Sequence, residues 1–462
     1  MMSGVPRPRP TVAVAPARRC AFVVLRRVFE RGAYADQALQ AECDDHDPRD
    51  RALAMRLAYG AVQRKATLDE LIERLADRPT ARLDPSLLAA LRLGLYELLY
   101  LGGAPDYAVV ADAVELAKAH GRAGHGLVNA VLRRAAREGR DELLGGLSEE
   151  TPEQAALMHS HPEWIARLWW DQLGAAQARA LMAFDNEPGE VALRANTLHT
   201  DAHKLAGELP VRTRVDDEIP EALVLEEPFD MYASPLWKTG AFIAQSRAAM
   251  LVAHALAPLP GERVLDLCAA PGGKGTHLAA LMQGRGQVLA VERNPRRAGA
   301  LARTAQRLGA ASVRVEVADA ASARPEGPVF DRVLVDPPCS GLGTLQARAD
   351  LRWRMTPESV HEMAAQQARI LAVGAAALRP GGVLVYSTCT ISQTENERLI
   401  AAFLESEPDF SIDDLAAERP RFAAVGSRAA GAQANEIRQR CLLTLPDRDR
   451  TAGFFIARLR RS

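Results

Sequence analysis

From Arg263 onward, short apolar runs alternate with segments of helical period, and this alternation restricts the fold more than any other feature of the chain. Arg263 to Leu267, Gln287 to Val291, Ser312 to Val317, Arg332 to Val335 and Gly382 to Tyr386 read as strands. Helices are predicted from Gly273, over Pro295 to Leu308, over Pro357 to Leu378 and over Thr394 to Leu404. Strands separated by helices are expected to run parallel, in a sheet covered on both faces. Cys441 to Leu445 and Gly453 to Leu459 read as a closing antiparallel pair.

Upstream the pattern is different. Ala21, Val24, Leu25, Val28 and Phe29 recur at helical spacing, as do Leu53, Leu57, Ala58 and Val62. Further helices are expected over Pro85 to Leu101, over Ala108 to Ala119 and after Gly126, so residues 18–145 read as an all-α bundle. Gly145 to Pro152 has the composition of a hinge. Residues 155–255 then mix helix (Trp164 to Met182, His199 to Leu209) with strand (Val191 to Asn196, Ala222 to Leu225), as a small α/β, RRM-like subdomain would. Residues 256–462 form the α/β, Rossmann-like domain. A multidomain chain is consistent with 462 residues, since single cores stop growing near 250 to 300.

Residues 1–17 are rich in Pro and Arg and lack the apolar segment of a signal peptide, so a disordered leader and a cytoplasmic protein are expected. No apolar run approaches the roughly 20 residues that span a bilayer, and no membrane partner is expected. Net charge is −1, yet only five of the 57 basic residues are lysines. The arginine excess reads either as compositional bias or as phosphate and base recognition, with Arg133, Arg134 and Arg137 as a local basic cluster. Six cysteines without a CxxC pair argue against a disulfide framework and a structural zinc site, so free thiols and no metal are expected.

The first strand of the alternating region leads into Cys268-Ala269-Ala270-Pro271-Gly272-Gly273-Lys274. Small residues at a strand-to-helix turn allow the backbone to approach a ligand closely. The loop lacks both the Walker spacing and the Gly-x-Gly-x-x-Gly of dinucleotide sites. Glu292 ends the second strand, where an acid accepts ribose hydroxyls. Asp319 ends the third, in Val317-Ala318-Asp319-Ala320, where a carboxylate can accept an adenine amine. This set fits S-adenosylmethionine. Two further strands end in Asp336-Pro337-Pro338-Cys339 and Ser387-Thr388-Cys389-Thr390. Either cysteine alone reads as a packed thiol, but both fall at the sheet edge where ligands bind, so covalent catalysis by a thiol is expected.

These segments resemble the bacterial ribosomal RNA cytosine-C5 methyltransferases of the RsmB (Sun/Fmu) type. The match rests on the Cys268 to Lys274 loop, Asp336-Pro337-Pro338-Cys339-Ser340-Gly341, Tyr386-Ser387-Thr388-Cys389-Thr390 and Glu395-Asn396-Glu397. The helical region resembles the NusB fold at Leu91 to Leu98, Val114 to Lys118 and Val128 to Arg133. The resemblance implies that Cys389 is the nucleophile, that Cys339 assists product release, and that Glu292, Asp319 and Asp336 serve the methyl-donor or target-base site. It also implies ribosomal RNA as partner; nothing in the chain demands more than a monomer. Ala244-Gln245-Ser246 replaces the usual Val-Gln-Asp, and Arg194-Ala195-Asn196 the usual Arg-Val-Asn. A transfer RNA cytosine-C5 methyltransferase and a non-catalytic RNA-binding assembly factor are the alternative readings.

Overall fold

The computed structural model describes residues 14–43, 46–120, 123–322, 327–424 and 431–462. Most of the expected leader, residues 1–13, lies outside them. The chain divides into two compact units: residues up to Ala166 together with Arg348–Trp353, and the remainder from Arg167. Among the described residues, no helix is long and apolar enough to cross a membrane.

The first unit is helical. Three of its helices start where the sequence supplies side-chain acceptors for the free N–H groups of a first turn: Asp47 accepts from Arg49 and Asp50, Asp84 from Ser86, and Thr151 forms a capping box with Gln154. Apolar stripes from Pro16–Arg31, Pro48–Gln63, Pro85–Tyr96 and His125–Gly145 meet in one core around Phe22, Leu25, Leu57, Leu91 and Leu132. The helix expected over Pro85 to Leu101 is regular only to Tyr96 and widens into a π turn over Glu97–Leu101. There the buried Glu97 carboxylate accepts from the Arg18 guanidinium, which also donates to Asp112 at 2.8 Å. The unit extends past Gly145: Thr67 Oγ1 donates to the Leu157 carbonyl at 2.6 Å, and the Ala66 N–H donates to Ser160 Oγ at 2.9 Å.

Not all six cysteines are free thiols. Cys20 and Cys43 are joined in a disulfide, with Cα atoms 6.4 Å apart. The helix Ala35–Cys43 folds back against Pro16–Arg31, bringing together two thiols separated by 23 residues. That spacing matches no local cysteine motif.

The second unit carries two sheets. Strands β1 (Ala192–Ala195), β2 (Thr213–Val215), β3 (Ala222–Leu225) and β4 (Phe242–Ala244) form an antiparallel sheet in the order β2-β3-β1-β4, with the helix Ala202–Glu208 beside it. The continuous helix expected over Trp164 to Met182 is two, Glu163–Leu173 and Ala175–Phe184, separated at Gly174, whose φ of 85° only glycine adopts without strain.

The larger sheet contains β5 (Arg263–Leu267), β6 (Gln287–Val291), β7 (Val313–Glu316), β8 (Phe330–Val335), β9 (Leu378–Thr388), β10 (Phe410–Ile412), β11 (Leu442–Leu443) and β12 (Phe455–Arg461). Their order is β10-β12-β9-β8-β5-β6-β7, with β11 on β12. Strands β5 to β9 pair in parallel, and β12 is antiparallel to both neighbours. From β5 the chain winds outward through β6 and β7, then returns to the other side of β5 for β8 and β9. The reversal opens a crevice at the carboxyl ends of β5 and β8, where open α/β sheets bind ligands.

Candidate active site

Every segment singled out as a site leaves the carboxyl end of a strand in this sheet. Cys268 follows β5 with a positive φ of 66°, and Gly272, at φ 103°, precedes the helix Gly273–Leu281. A Cβ at Gly272 would stand 3.1 Å from Leu301, so the turn is both conformationally and sterically suited to glycine. Glu292 ends β6, is 3% exposed, and accepts from the Asn294 N–H at 2.9 Å. Asp319 lies beyond β7, is exposed, and accepts from the Ala321 N–H of its own turn. Backbone left open by glycine and a strand-end acid suit a nucleoside-bearing cofactor, and Cys268 to Lys274, Glu292 and Asp319 line the edge where it would lie.

Asp336, after β8, joins the cofactor loop to the cysteines. Its Oδ2 accepts from Lys274 Nζ at 2.6 Å and its Oδ1 from Ser387 Oγ at 2.9 Å. Burial alone would lower the Lys274 pKa, but the charge of Asp336 and the hydrogen bond to it carry the ammonium above its ordinary value. Lys274 also interacts electrostatically with Cys389 and lies 5.0 Å from the Phe454 ring centre.

Cys339 and Cys389, 50 residues apart in sequence, bring their sulfurs to 3.3 Å while remaining free thiols. The hydrogen bond to Cys389, reinforced by burial, holds the Cys339 pKa well above the ordinary thiol value. Both effects favour the protonated form of Cys339. Burial pushes the Cys268 thiol up to about 12, with Asp336 adding to the effect, so that thiol also stays protonated at neutral pH.

Several residues here carried no expected role. Asp266, inside β5, is fully buried, and burial and Asp336 push its carboxyl up to about 8. Nothing in Val-Leu-Asp-Leu distinguishes it from a strand-edge acid. The buried Arg194 guanidinium of β1 donates to the Gly273 carbonyl, to Thr276 Oγ1 at 3.0 Å and to Gln245 Oε1 at 2.7 Å, bracing the cofactor loop from behind. Ser246, where Asp is usual, caps the helix Arg247–Leu256 by accepting from the Ala249 N–H, a task either residue performs.

Glu221, His254 and His277 also converge, with both Nε2 atoms 2.6 to 2.7 Å from Glu221 Oε1. Those are hydrogen-bonding distances, shorter than the roughly 3.2 Å between two ligands each about 2.0 Å from a tetrahedral zinc. The nearby Arg194 charge further disfavours a cation.

The strand order, the strand-end acid and the cofactor turn define a Rossmann-like methyltransferase, fused to a helical unit and a four-stranded antiparallel module. Comparison with known families resolves the three parts: the model of the 16S rRNA methyltransferase RsmB/F matches residues 253–460, that of the NusB family residues 15–137, and that of the RsmF/B-like ferredoxin-like domain residues 161–232. The chain is 36% identical over 455 residues to a probable ribosomal RNA small subunit methyltransferase B of Synechocystis, covering 96% of this chain and 99% of that one. It is 33% identical to a protein of the same description from Bacillus subtilis, with 96% and 98% covered. A methyltransferase homolog from Pyrococcus horikoshii superposes with a TM-score of 0.58 at 27% identity, over 68% of this chain and 99% of that one. The chain belongs to the RsmB/F family of 16S rRNA methyltransferases.

Proposed function

We propose that the protein methylates C5 of a cytosine in small-subunit ribosomal RNA, through a covalent bond between Cys389 and C6 of the base. The observation that carries this reading is the 3.3 Å approach of Cys389 to a second thiol at the carboxyl edge of β8 and β9, beside the Lys274–Asp336 ion pair. C5 of cytosine is too weakly nucleophilic to take a methyl group unaided. Addition of a thiolate to C6 gives C5 enamine character and divides one hard step into two easier ones.

The resting geometry suits that division of labour. Burial and the hydrogen bond to Cys389 favour the protonated form of Cys339, which can then donate toward Cys389, while the Lys274 ammonium favours negative charge on Cys389. Asp336, fixed by Lys274 and Ser387, stands beside the pair to orient the base. S-adenosylmethionine, held by Cys268, Ala269, Ala270, Pro271, Gly272, Gly273, Lys274, Glu292 and Asp319, with Asp336 at the base side, would supply the methyl group. Once C5 is substituted, its proton passes to a water acting as base, the C5–H electron pair restores the C5=C6 bond, and the C6–S bond breaks; the Cys339 thiol assists by hydrogen-bonding the departing Cys389 thiolate. A target cytosine has to be unstacked, because C6 is inaccessible within a helix. The family's NusB and ferredoxin-like modules are suited to gripping the surrounding RNA.

Incubation with small-subunit RNA and methyl donor, followed by denaturing electrophoresis, tests the assignment. Cys389→Ala should form no protein–RNA adduct and lose at least about 10³-fold in rate, as removal of a covalent nucleophile does. Cys339→Ala should form the adduct and retain it. Wild-type methylation by Cys389→Ala would overturn the mechanism. Bisulfite sequencing of the product RNA should show one new protected cytosine.

A further inference from the structure

Glu395 and Asn396 have no place in the chemistry above, yet they occupy the most densely hydrogen-bonded part of the site. Both are essentially inaccessible, at 0% and 1% exposure. Glu395 Oε1 accepts from the Ser340 N–H at 2.8 Å and from Gln367 Nε2 at 2.9 Å, and its Oε2 accepts from Ser340 Oγ. Gln367 Nε2 also donates to the Pro338 carbonyl at 2.9 Å. The residues on either side of Cys339 are therefore tied, directly or through Gln367, to one carboxylate.

Asn396 treats the other cysteine in the same way. Its Oδ1 accepts from Thr388 Oγ1 at 2.6 Å and its Nδ2 donates to the Thr390 carbonyl at 3.0 Å, so one amide spans both neighbours of Cys389. The Thr390 hydroxyl lies 2.7 Å from Ser340 Oγ, linking the two turns, and Tyr386 Oη donates to the Glu395 carbonyl at 2.7 Å, fixing the dipeptide to β9. No cationic side chain is among these partners of the Glu395 carboxylate; burial pushes its pKa up, and the Ser340 and Gln367 donors oppose that.

We propose that Glu395 and Asn396 are positioning residues that set the two cysteine turns separately, Glu395 holding the turn of Cys339 and Asn396 that of Cys389. The assignment of steps to them rests on the roles proposed above for the cysteines; the placement of the thiols does not. Loss of the Glu395 ties should leave bond formation by Cys389 largely intact and slow product release. Loss of the Asn396 ties should slow bond formation itself.

Two measurements separate the brace from the chemistry. In protein without RNA, limited alkylation read by peptide mass spectrometry gives the reactivity of each thiol. Glu395→Gln puts an amide NH2 either against two donors or against Ser340 Oγ, so two ties are lost in the first orientation and one must be rebuilt in the second. Ser340→Ala removes the Oγ ties to Glu395 and to Thr390 but keeps the carboxylate and both Asn396 ties around Cys389. Both should shift the Cys339 alkylation rate at least threefold and leave Cys389 within a factor of two, whereas Asn396→Ala should do the reverse, with melting temperatures unchanged to within a few degrees. Thiols that shift together, or not at all, would overturn the proposal. The adduct assay then reads the steps: more retained adduct in Glu395→Gln and Ser340→Ala, slower adduct formation in Asn396→Ala. If Cys339→Ala retains adduct and neither Glu395→Gln nor Ser340→Ala does, the cysteine roles stand and Glu395 has no part in release. If Cys339→Ala retains none while the alkylation rates still split, the brace stands and the release role fails.

Discussion

His277 is 1% exposed, and burial, aided by the Arg194 charge, pushes its pKa down to about 3. In the unfolded chain the same imidazole titrates near 6.5. Between those values the unfolded state binds a proton that the folded state refuses, so stability must fall as pH drops below about 6.5. The slope approaches 1.4 kcal/mol per pH unit as an upper limit. Glu221, His254 and Arg194 face the ring, and burial would raise the Glu221 carboxyl were it not held well below its ordinary value by its two histidine partners. Glu221 therefore stays ionised through this window. Denaturant melts at pH 7 and 5 should show a smaller loss for His277→Gln than for the parent, and an equal loss would remove His277 as the cause. Residue types and strand-end positions were legible in the sequence. It could not show that Asp266 turns into the interior, or that Cys339 and Cys389 lie 3.3 Å apart, because both follow from how β5, β8 and β9 are paired.

Elements were most readable where they were long or began with a strong cap. β5 and β6 coincide with their expected ranges, and the helix expected over Pro357 to Leu378 runs Pro357–Ala377 behind a Thr356 cap. β2, β4 and β10 went unread because three residues contain too little alternation to distinguish strand from loop, and their pairing partners define them. Two crossing glycines show the same dependence on partners. The Gly343 N–H donates to the Cys389 carbonyl at 3.0 Å, and the Gly453 N–H donates to the Gly343 carbonyl at 2.7 Å. A Cβ on Gly343 would sit 2.1 Å from the Gly453 carbonyl oxygen, with backbone on both sides and nothing flexible to yield. Gly343→Ala should cost about 1 to 3 kcal/mol, as overpacking does. It should also disorder the Cys339 segment, visible as a lower melting temperature and faster hydrogen exchange at residues 339–344; unchanged values would show that the crossing has slack.

At the scale of the whole chain, Arg348–Trp353 belongs with the helical unit although both its sequence neighbours belong to the other. Trp353 Nε1 donates to the Val62 carbonyl at 2.7 Å, the Lys65 ammonium lies over its ring, and the buried Arg352 guanidinium donates to the Ser160 carbonyl at 3.0 Å. Trp353→Ala should cost the helical unit roughly 2 to 4 kcal/mol. Hydrogen exchange should quicken in Pro48–Gln63 and Lys65–Ala76 and stay unchanged in β5 and β6. Equal loss of protection in both would mean that the two units unfold together. The order of modules, the parallel sheet, the glycine turn after β5 and the two cysteines at strand ends were legible along the chain, because periodicity, capping and turn chemistry are local. The Cys20–Cys43 pairing, the membership of Arg348–Trp353, the approach of Cys339 to Cys389 and the burial of Glu395 and Asn396 emerge only in the folded chain. Each depends on contacts between residues far apart in the chain, and on burial that no local pattern records.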